Sequence, residues 1–390
     1  MEIILSNHSS NFAPLFKTSI ELGIDFSKLR SHLKDGVQRM LAHPKYRPDA
    51  HRWLSGSGDS LFAAEAVLPG LRRWAGVEGT AVSAIEFARY RAPLLTERDA
   101  LWAISNSGSA ARTRETVALA QSMGVLAMGI TGSELGPLAS SADTYIFRPV
   151  EDLPEIKEIH RGIFMNMNEF LVTLYSLYFV GLHIGIANGV LTDSAAEAIL
   201  TRCEEAIRLL PALAATHEQQ AAKLAEGLKN LDTIWMIGAG PSHGTARYCA
   251  AKFHEQLPWN GIPEDLEEWA HLQYFLSLEW KERSVVMVLA PPGNSLDRAE
   301  ELVAGISGVG GRAIVVGHPD HGSFARAMMD FRLADSGNEF LSAFTYHLPA
   351  QMLILHLARQ RGQEPFALRR ADAYQLIRHG VVLNDAGRLA

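Results

Sequence analysis

Hydroxyl side chains are concentrated between Ser105 and Thr113, and their spacing could bind an anion. Ser107 and Ser109 lie between them, together with Gly108, which lets the backbone approach a ligand closely. An apolar run enters this segment and a helical pattern leaves it, which predicts a buried strand, a tight polar loop and a helix N-terminus. Unpaired N–H groups and the helix dipole favour negative charge at such a terminus. The segment therefore predicts either a phosphate-type anion site or an ordinary Ser/Thr helix cap without a ligand.

A second pair of candidate residues, Glu255 and His271, has the chemistry of proton transfer. Glu255 lies on a predicted helix, with Phe253, Leu257 and Trp259 close to it in sequence. An apolar environment favours the protonated form of a carboxylic acid, which suits a proton carrier, and histidine exchanges protons near neutral pH. The alternatives are a surface carboxylate on a charged helix face and a structural histidine.

Strands alternate with helices along the chain, which predicts an α/β fold with parallel sheets covered on both faces. An amphipathic helix is predicted from Phe26 to His43. The predicted strands begin near Arg52, Thr80, Ala100, Val125 and Thr144 in the first half, and near Thr233, Ser284, Ala313 and Phe331 in the second. The sequence thus predicts two α/β units joined by a helical connection.

The second half of the chain repeats the plan of the first. Gly56, Gly58 and Ser60 each have an identical residue type 182 positions later. The counterpart of the hydroxyl loop in the second half is Ala290–Ser295, where two prolines remove backbone donors. We therefore expect the first half to bind the anion and the second half to supply the chemistry.

Composition and charge exclude several classes of function. A length of 390 residues predicts two to three domains, and a net charge of -7 without any basic block argues against nucleic acid as a partner. Cys203 and Cys249 are the only cysteines, so no disulfide framework or zinc spacing is present and a cytoplasmic location fits. A nicotinamide or flavin enzyme is not favoured, because Leu61 and His243 replace the third glycine of the dinucleotide fingerprint.

One segment, from Phe170 to Leu191, contains no Lys, Arg, Asp or Glu and is long enough to cross a membrane. His183, Asn188 and three glycines interrupt it, so a helix buried between two domains explains it better than a membrane span. The N-terminal residues lack a basic region followed by an apolar core, and no signal peptide is predicted.

These motifs together resemble the double-SIS-domain (sugar isomerase domain) family, which includes the isomerase half of glucosamine-6-phosphate synthase and the fructosamine-6-phosphate deglycases. The resemblance covers roughly residues 30 to 375. It rests on Gly58–Ser60, Glu86–Phe87, Ser105–Gly108 and the block from Lys252 to His271. It implies two tandem SIS domains, each a doubly wound, flavodoxin-like parallel sheet flanked by helices.

The resemblance implies roles for individual residues. The sugar's phosphate would bind to Ser105, Asn106 and Ser107, with Gly58 and Ser60 nearby.

In the second half, the family's catalytic glutamate falls on Glu255, and its catalytic histidine, sixteen residues later, falls on His271. Lys252 matches the lysine that precedes that glutamate, and the resemblance implies that it binds the substrate.

Three positions depart from the family pattern. Ala110 stands where the family has an anion-binding threonine, and Arg112 or Arg114 could compensate, since arginine suits phosphate or sulfonate. Leu272 and Gln273 replace the Gly-Pro that follows the catalytic histidine. The C-terminal tail contains no lysine, although synthase-type members have a catalytic one there, and we expect no glutaminase domain before the chain. These departures exclude the complete synthase reaction but leave aldose–ketose proton transfer possible.

The sequence therefore predicts a sugar-phosphate isomerase that moves a proton between C1 and C2 of a phosphorylated sugar, which could also be an amino or sulfonated sugar. The alternatives are a fructosamine-6-phosphate deglycase that releases an amine, and a non-catalytic sugar-phosphate-binding regulator. No cofactor, metal, membrane or nucleic acid is expected, and the resemblance implies a homodimer. The predicted segments are a helical N-terminus at 1–45, SIS domains at 46–192 and 230–365, a helical connection at 193–229 and a tail at 366–390.

Overall fold

Two five-stranded sheets, in which all neighbouring strands are parallel, form the framework of the structure, a computed structural model that describes residues 11–366. The first sheet contains β1 (His51–Gly56), β2 (Gly79–Ser83), β3 (Asp99–Ser105), β4 (Leu126–Thr131) and β5 (Thr144–Phe147). The second sheet contains β6 (Thr233–Ile237), β7 (Asn260–Glu264), β8 (Val285–Ala290), β9 (Arg312–Gly317) and β10 (Met329–Arg332). Nine of these strands were predicted; β7 was missed because it contains Gly261 and Pro263, which an edge strand tolerates.

The two sheets have the same strand order, β2-β1-β3-β4-β5 and β7-β6-β8-β9-β10. This is the flavodoxin-like order, in which the chain reverses its winding direction between the first and third strands of each sheet. The inner strands β4 and β8 are buried along their whole length, because helices cover both faces of a parallel sheet. The predicted fold class is confirmed.

The helices account for most of the remaining chain. They are α1 (Ala13–Gly23), α2 (Phe26–Leu41), α3 (Asp59–Ala75), α4 (Ala84–Glu86), α5 (Ala111–Ser122), α6 (Pro137–Ser141), α7 (Glu158–Ala187), α8 (Asp193–Leu228), α9 (Pro241–Gln256), α10 (Leu266–Glu268), α11 (Tyr274–Trp280), α12 (Leu296–Gly308) and α13 (Leu348–Gln360). Two π-helices, Phe87–Arg91 and Trp269–Gln273, follow α4 and α10, and 3₁₀ turns occupy Ala92–Leu94, Lys281–Arg283 and Glu339–Phe344.

The internal repeat is visible in the backbone itself. Gly58 has φ 58° and ψ −132°, and its counterpart Gly240 has φ 56° and ψ −128°, so the same left-handed turn begins α3 and α9. A Cβ added to Gly56 would lie 2.8 Å from the Cβ of the serine four residues later, and one added to Gly238 would also lie 2.8 Å from its serine Cβ. The two π-helices, which are rare structures, occupy matching positions in the two halves.

The described chain divides into two compact units that interleave along the sequence. The first-sheet unit contains residues 24–151 and 168–204, and the second-sheet unit contains residues 11–23, 152–167 and 205–366. The domains predicted from the sequence, at 46–192 and 230–365, are contiguous segments and stay predictions. The units interleave because the long helices α7 and α8 each contribute residues to both.

The apolar segment noted in the sequence belongs to α7. By length and composition this helix could cross a membrane, but 83% of its most apolar window is buried inside the protein. The core helix of a globular fold meets the same length and composition criteria, and α7 has the burial expected of one.

Candidate functional site

The hydroxyl loop lies where β3 ends and α5 begins, at the carboxyl edge of the first sheet. Ser105 is buried as the last residue of β3, whereas Ser107 and Ser109 are exposed, with their Oγ atoms 2.8 Å apart. Gly108 turns the chain with φ 66°, and a Cβ there would lie 3.0 Å from the Thr131 Oγ1 atom. The loop therefore depends on a glycine and presents hydroxyl groups to solvent.

The N-terminus of α5 has no side-chain cap. Its N-cap residue is Ala110, and no side chain accepts a hydrogen bond from the first turn. The interpretation of this segment as an ordinary Ser/Thr cap is therefore wrong. The first-turn N–H groups and the helix dipole are left available for an external anion, as at many phosphate sites.

Hydrogen bonds to its backbone carbonyl groups fix the shape of the loop. The Asn106 carbonyl accepts a hydrogen bond from the Gly132 N–H at 2.9 Å and another from the Thr131 hydroxyl at 3.2 Å. The Gly108 carbonyl accepts a third, from the Leu138 N–H at 3.1 Å. Because β4 and α6 hold the loop in this way, its amide and hydroxyl donors are already in place before a ligand binds.

Gly58 and Ser60 lie at the same edge of the first sheet as the hydroxyl loop. They begin α3 directly after β1, and β1 pairs with β3. The turn also packs closely on β3, since a Cβ on Gly56 would lie 3.0 Å from the Ile104 carbonyl oxygen. Ligands of open α/β sheets bind at this kind of switch point, between strands whose connections run in opposite directions. The first sheet thus brings together the five residues expected to bind phosphate.

Arg112 lies in the first turn of α5, but its guanidinium is already paired. Its Nη1 atom lies 2.5 Å from Glu115 Oε2, and Arg89 Nη2 lies 2.7 Å from Glu115 Oε1. The Glu115 side chain is 1% exposed, and the two arginines are 26% and 20% exposed. Two cations share one carboxylate, which leaves a net positive charge beside the loop.

Arg89 was not predicted as a site residue from the sequence. It occupies the same place in its π-helix as His271 does in the second π-helix, 182 residues later. Applying the repeat to the neighbourhood of the predicted histidine would have identified Arg89.

Lys252 and Glu255 are brought together on α9. The Lys252 Nζ atom donates a hydrogen bond of 2.7 Å to Glu255 Oε2. The Lys252 side chain is 1% exposed, whereas that of Glu255 is 45% exposed. The expected apolar surroundings of Glu255 are wrong: Phe253 and Trp259 are buried and stack on each other, and residues two apart lie on opposite sides of a helix. The Glu255 carboxylate is instead hydrogen-bonded to the Lys252 ammonium group.

His271 is placed on a separate element from Glu255, in the π-helix that follows α10, and it is exposed. π-helical turns occur frequently at functional sites, which agrees with a functional histidine at this position. The side chains of Leu272 and Phe275 beside it are 55% and 59% exposed, which is unusual for large apolar residues.

In the corresponding loop of the second sheet, a side chain of the protein accepts the hydrogen bond of a backbone N–H group. The backbone N–H of Asn294 donates to Glu339 Oε2 at 3.2 Å, and a Cβ on Gly293 would collide with the same carboxylate. This arrangement supports the expectation that the first half, rather than the second, binds the anion.

Among residues 11–366, no three His, Cys, Asp or Glu side chains are grouped so as to hold a metal ion. The predictions about a lysine-free tail and about the extreme N-terminus fall on residues outside this range.

Comparisons with known proteins agree with this architecture. Residues 46–180 match the family model of the SIS domain. The chain is 32% identical over 167 residues to glutamine–fructose-6-phosphate aminotransferase [isomerizing] from Thermotoga maritima, a match covering 43% of this chain and 26% of the relative. The chain thus spans about a quarter of that relative's length.

Solved structures extend the similarity of the fold to most of the chain. The C-terminal domain of glucosamine-fructose-6-phosphate aminotransferase from Francisella tularensis has a TM-score of 0.70 at 16% identity, covering 89% of this chain and 96% of that chain. For tagatose-6-phosphate ketose/aldose isomerase from Escherichia coli the TM-score is 0.67 at 18% identity, with 90% and 91% covered. For glucosamine-6-phosphate deaminase from Thermotoga maritima it is 0.63 at 20% identity, with 90% and 96% covered.

The protein thus has the fold of these solved structures, and its residues 46–180 match the SIS domain model. The double-SIS-domain resemblance stated from the sequence is confirmed.

Proposed function

We propose that the protein is a sugar-phosphate isomerase that transfers a proton between C1 and C2 of a phosphorylated sugar. The observation that carries this proposal is the uncapped N-terminus of α5 directly after a loop of serine hydroxyls. A phosphate would supply the acceptor that the Ala110 side chain cannot. The similar proteins support the substrate class, since their names contain fructose 6-phosphate, tagatose 6-phosphate and glucosamine 6-phosphate.

The proposal assigns binding of the substrate to the first-sheet residues. Ser105, Asn106 and Ser107 bind the phosphate, and Gly58 and Ser60 complete the polar edge around it.

Ala110 stands where the family has an anion-binding threonine, and the Arg112 guanidinium compensates by adding positive charge. Anchoring the phosphate fixes the positions of C1 and C2, and such positioning is itself a large part of catalysis.

Proton transfer is assigned to second-sheet residues. His271 moves a proton between the ring oxygen and a hydroxyl as the sugar ring opens. Glu255 then removes the proton from the carbon beside the carbonyl, which gives an enediol, and returns it to the neighbouring carbon. Lys252 holds the Glu255 carboxylate in position. The reaction is balanced without a cofactor, because the substrate and product are isomers.

We propose further that the protein acts as a homodimer in the cytoplasm. The exposed apolar side chains Leu272, Phe275 and Leu276 lie close in sequence to His271, and burial against a second copy would remove them from water. Both cysteines, Cys203 and Cys249, are free and buried, which suits a reducing compartment. Analytical ultracentrifugation tests the dimer, and Leu276→Asp is expected to weaken it.

The reaction is tested by incubating the protein with fructose 6-phosphate in deuterated water and following the products by NMR. Interconversion of aldose and ketose with deuterium at C1 or C2 is expected. Release of an amine from fructosamine 6-phosphate would instead indicate the deglycase reaction, and binding without turnover would indicate a regulator. Glu255→Gln should abolish turnover and retain binding; undiminished turnover would remove Glu255 from the mechanism.

A further inference from the structure

The ammonium group of Lys252 lies in a place where a charge is costly. Its side chain is 1% exposed, and its helix α9 packs against the Glu339–Phe344 turn and α13. A buried charge is tolerated only where its partners compensate for lost hydration. Its carboxylate partner, Glu255, is 45% exposed and therefore shared with water.

Tyr248 provides a second, fully buried partner for this ammonium. The Lys252 Nζ atom lies 5.0 Å from the centre of the Tyr248 ring, one helical turn away on α9. A cation over an aromatic face is attracted by the negative face of the ring, most strongly in a desolvated setting.

The Tyr248 ring is itself held by two further residues, one on α13 and one directly before it. Its hydroxyl accepts a hydrogen bond of 3.2 Å from Gln351 Nε2 on α13. The His347 ring contacts it edge-on, with the two ring centres 5.8 Å apart. The ring is therefore held in one orientation, in which its face contacts the Lys252 ammonium group.

We propose that Tyr248 is a positioning residue for proton transfer: its ring face holds the Lys252 ammonium at the point from which it orients the Glu255 carboxylate. The inference rests on the proposed function of Glu255. An exposed glutamate near a helix C-terminus samples several rotamers, and a hydrogen bond of 2.7 Å to an immobile donor selects one of them.

The positioning is tested first without any activity measurement. In protein containing isotope-labelled lysine, a buried ammonium gives an NMR signal whose protons exchange slowly with water, and Lys252→Arg identifies that signal by its loss. Tyr248→Phe keeps the ring face and should leave the exchange rate within about threefold, whereas Tyr248→Leu should accelerate exchange by at least about tenfold. An unchanged signal in Tyr248→Leu would overturn the proposal.

The consequence for catalysis is tested with the same variants. Tyr248→Leu should lower kcat by about 10- to 30-fold and leave KM within about twofold, because the ring acts on the carboxylate and not on the phosphate. Tyr248→Phe should restore kcat to within about threefold of the unsubstituted protein. Equal losses in both variants, or a loss confined to KM, would contradict the positioning role.

A matched control separates positioning from general damage to the core. Tyr346 is likewise buried in the second-sheet unit, but it follows the Glu339–Phe344 turn and does not lie on α9. Tyr346→Leu should therefore leave both the lysine signal and kcat within about threefold, even where it lowers the melting temperature. If the signal responds as expected but the unsubstituted protein turns over no sugar phosphate, the proposed function fails and the contact between Tyr248 and Lys252 stands.

Discussion

Glu339 places its carboxylate oxygen 3.2 Å from the backbone nitrogen of Asn294 and accepts its hydrogen bond. Asn294 lies in the loop after β8, the counterpart of the hydroxyl loop after β3. A carboxylate of the protein thus accepts a backbone hydrogen bond in one copy of the repeated loop, while the other copy is followed by an uncapped helix terminus. This difference between the two copies supports the proposal that the loop after β3 binds the external ligand.

We therefore expect one sugar phosphate to bind per chain. Calorimetric titration with fructose 6-phosphate should give one site, and Glu339→Ala should add a second, weaker site because the Asn294 N–H loses its acceptor. The prolines after β8 leave few donors for that site, so its affinity should be low. Glu301→Ala, which removes an exposed carboxylate from α12, is the control and should leave one site. A stoichiometry that stays at one in Glu339→Ala would contradict this interpretation.

Adding a cap to α5 should stabilise the protein and weaken binding of the substrate. In Ala110→Asp the new carboxylate accepts hydrogen bonds from the first turn, which is worth about 1 kcal/mol of unfolding free energy. The same charge repels phosphate, so KM should rise at least about tenfold. Ser295→Asp caps α12 in the second sheet and should stabilise without changing KM. An unaltered KM in Ala110→Asp would place the phosphate elsewhere.

Removing the carboxylate shared by Arg89 and Arg112 should destabilise the first-sheet unit. Glu115→Gln leaves two partly buried guanidinium groups without a counter-charge, and breaking a buried ion pair costs about 3–5 kcal/mol. Because both arginines retain some contact with water, we expect a smaller loss, of about 2 kcal/mol. Urea denaturation measures it, with Glu301→Gln at an exposed ion pair as the control. A loss below about 0.5 kcal/mol would show that the guanidinium groups need no counter-charge.

The sheets were largely predictable from the sequence, because apolar runs ending in glycine or serine turns are typical of buried parallel strands. Thr144–Phe147 and Thr233–Ile237 were predicted to the residue. The edge strand β7 was not, since its glycine and proline are turn residues elsewhere and only pairing with β6 makes them part of a strand. The long helices α7 and α8 each contribute residues to both units, so the order of elements along the sequence does not reveal where the units divide.

The candidate site was predictable in its residue types but less so in their surroundings. The uncapped α5 follows from Ala110, which is visible in the sequence. The spacing of Arg112 and Glu115 on one helix predicts that they form an ion pair. The second ion pair of Glu115, with Arg89, arises only from tertiary packing. The surroundings of Glu255 were misjudged because neighbours in sequence were taken as neighbours in space.

The buried histidine that contacts Tyr248 should make the protein sensitive to acid. Burial lowers the pKa of His347 to about 4, against a smaller opposing effect of the hydrogen bond to the Phe344 backbone. The unfolded chain binds a proton below about pH 6.5, whereas the folded protein does so only below about pH 4, so lowering the pH through this window favours unfolding.

Between pH 7 and pH 4, this one group should remove about 3 kcal/mol of unfolding free energy. His347→Gln should show a correspondingly shallower loss of stability when urea denaturation is repeated across that range. His254, which is exposed on α9, provides the control, because His254→Gln also removes one histidine but leaves the buried His347 in place. Parallel stability curves for the His347→Gln and unsubstituted proteins would contradict the prediction, because the pH dependence would then come from other groups.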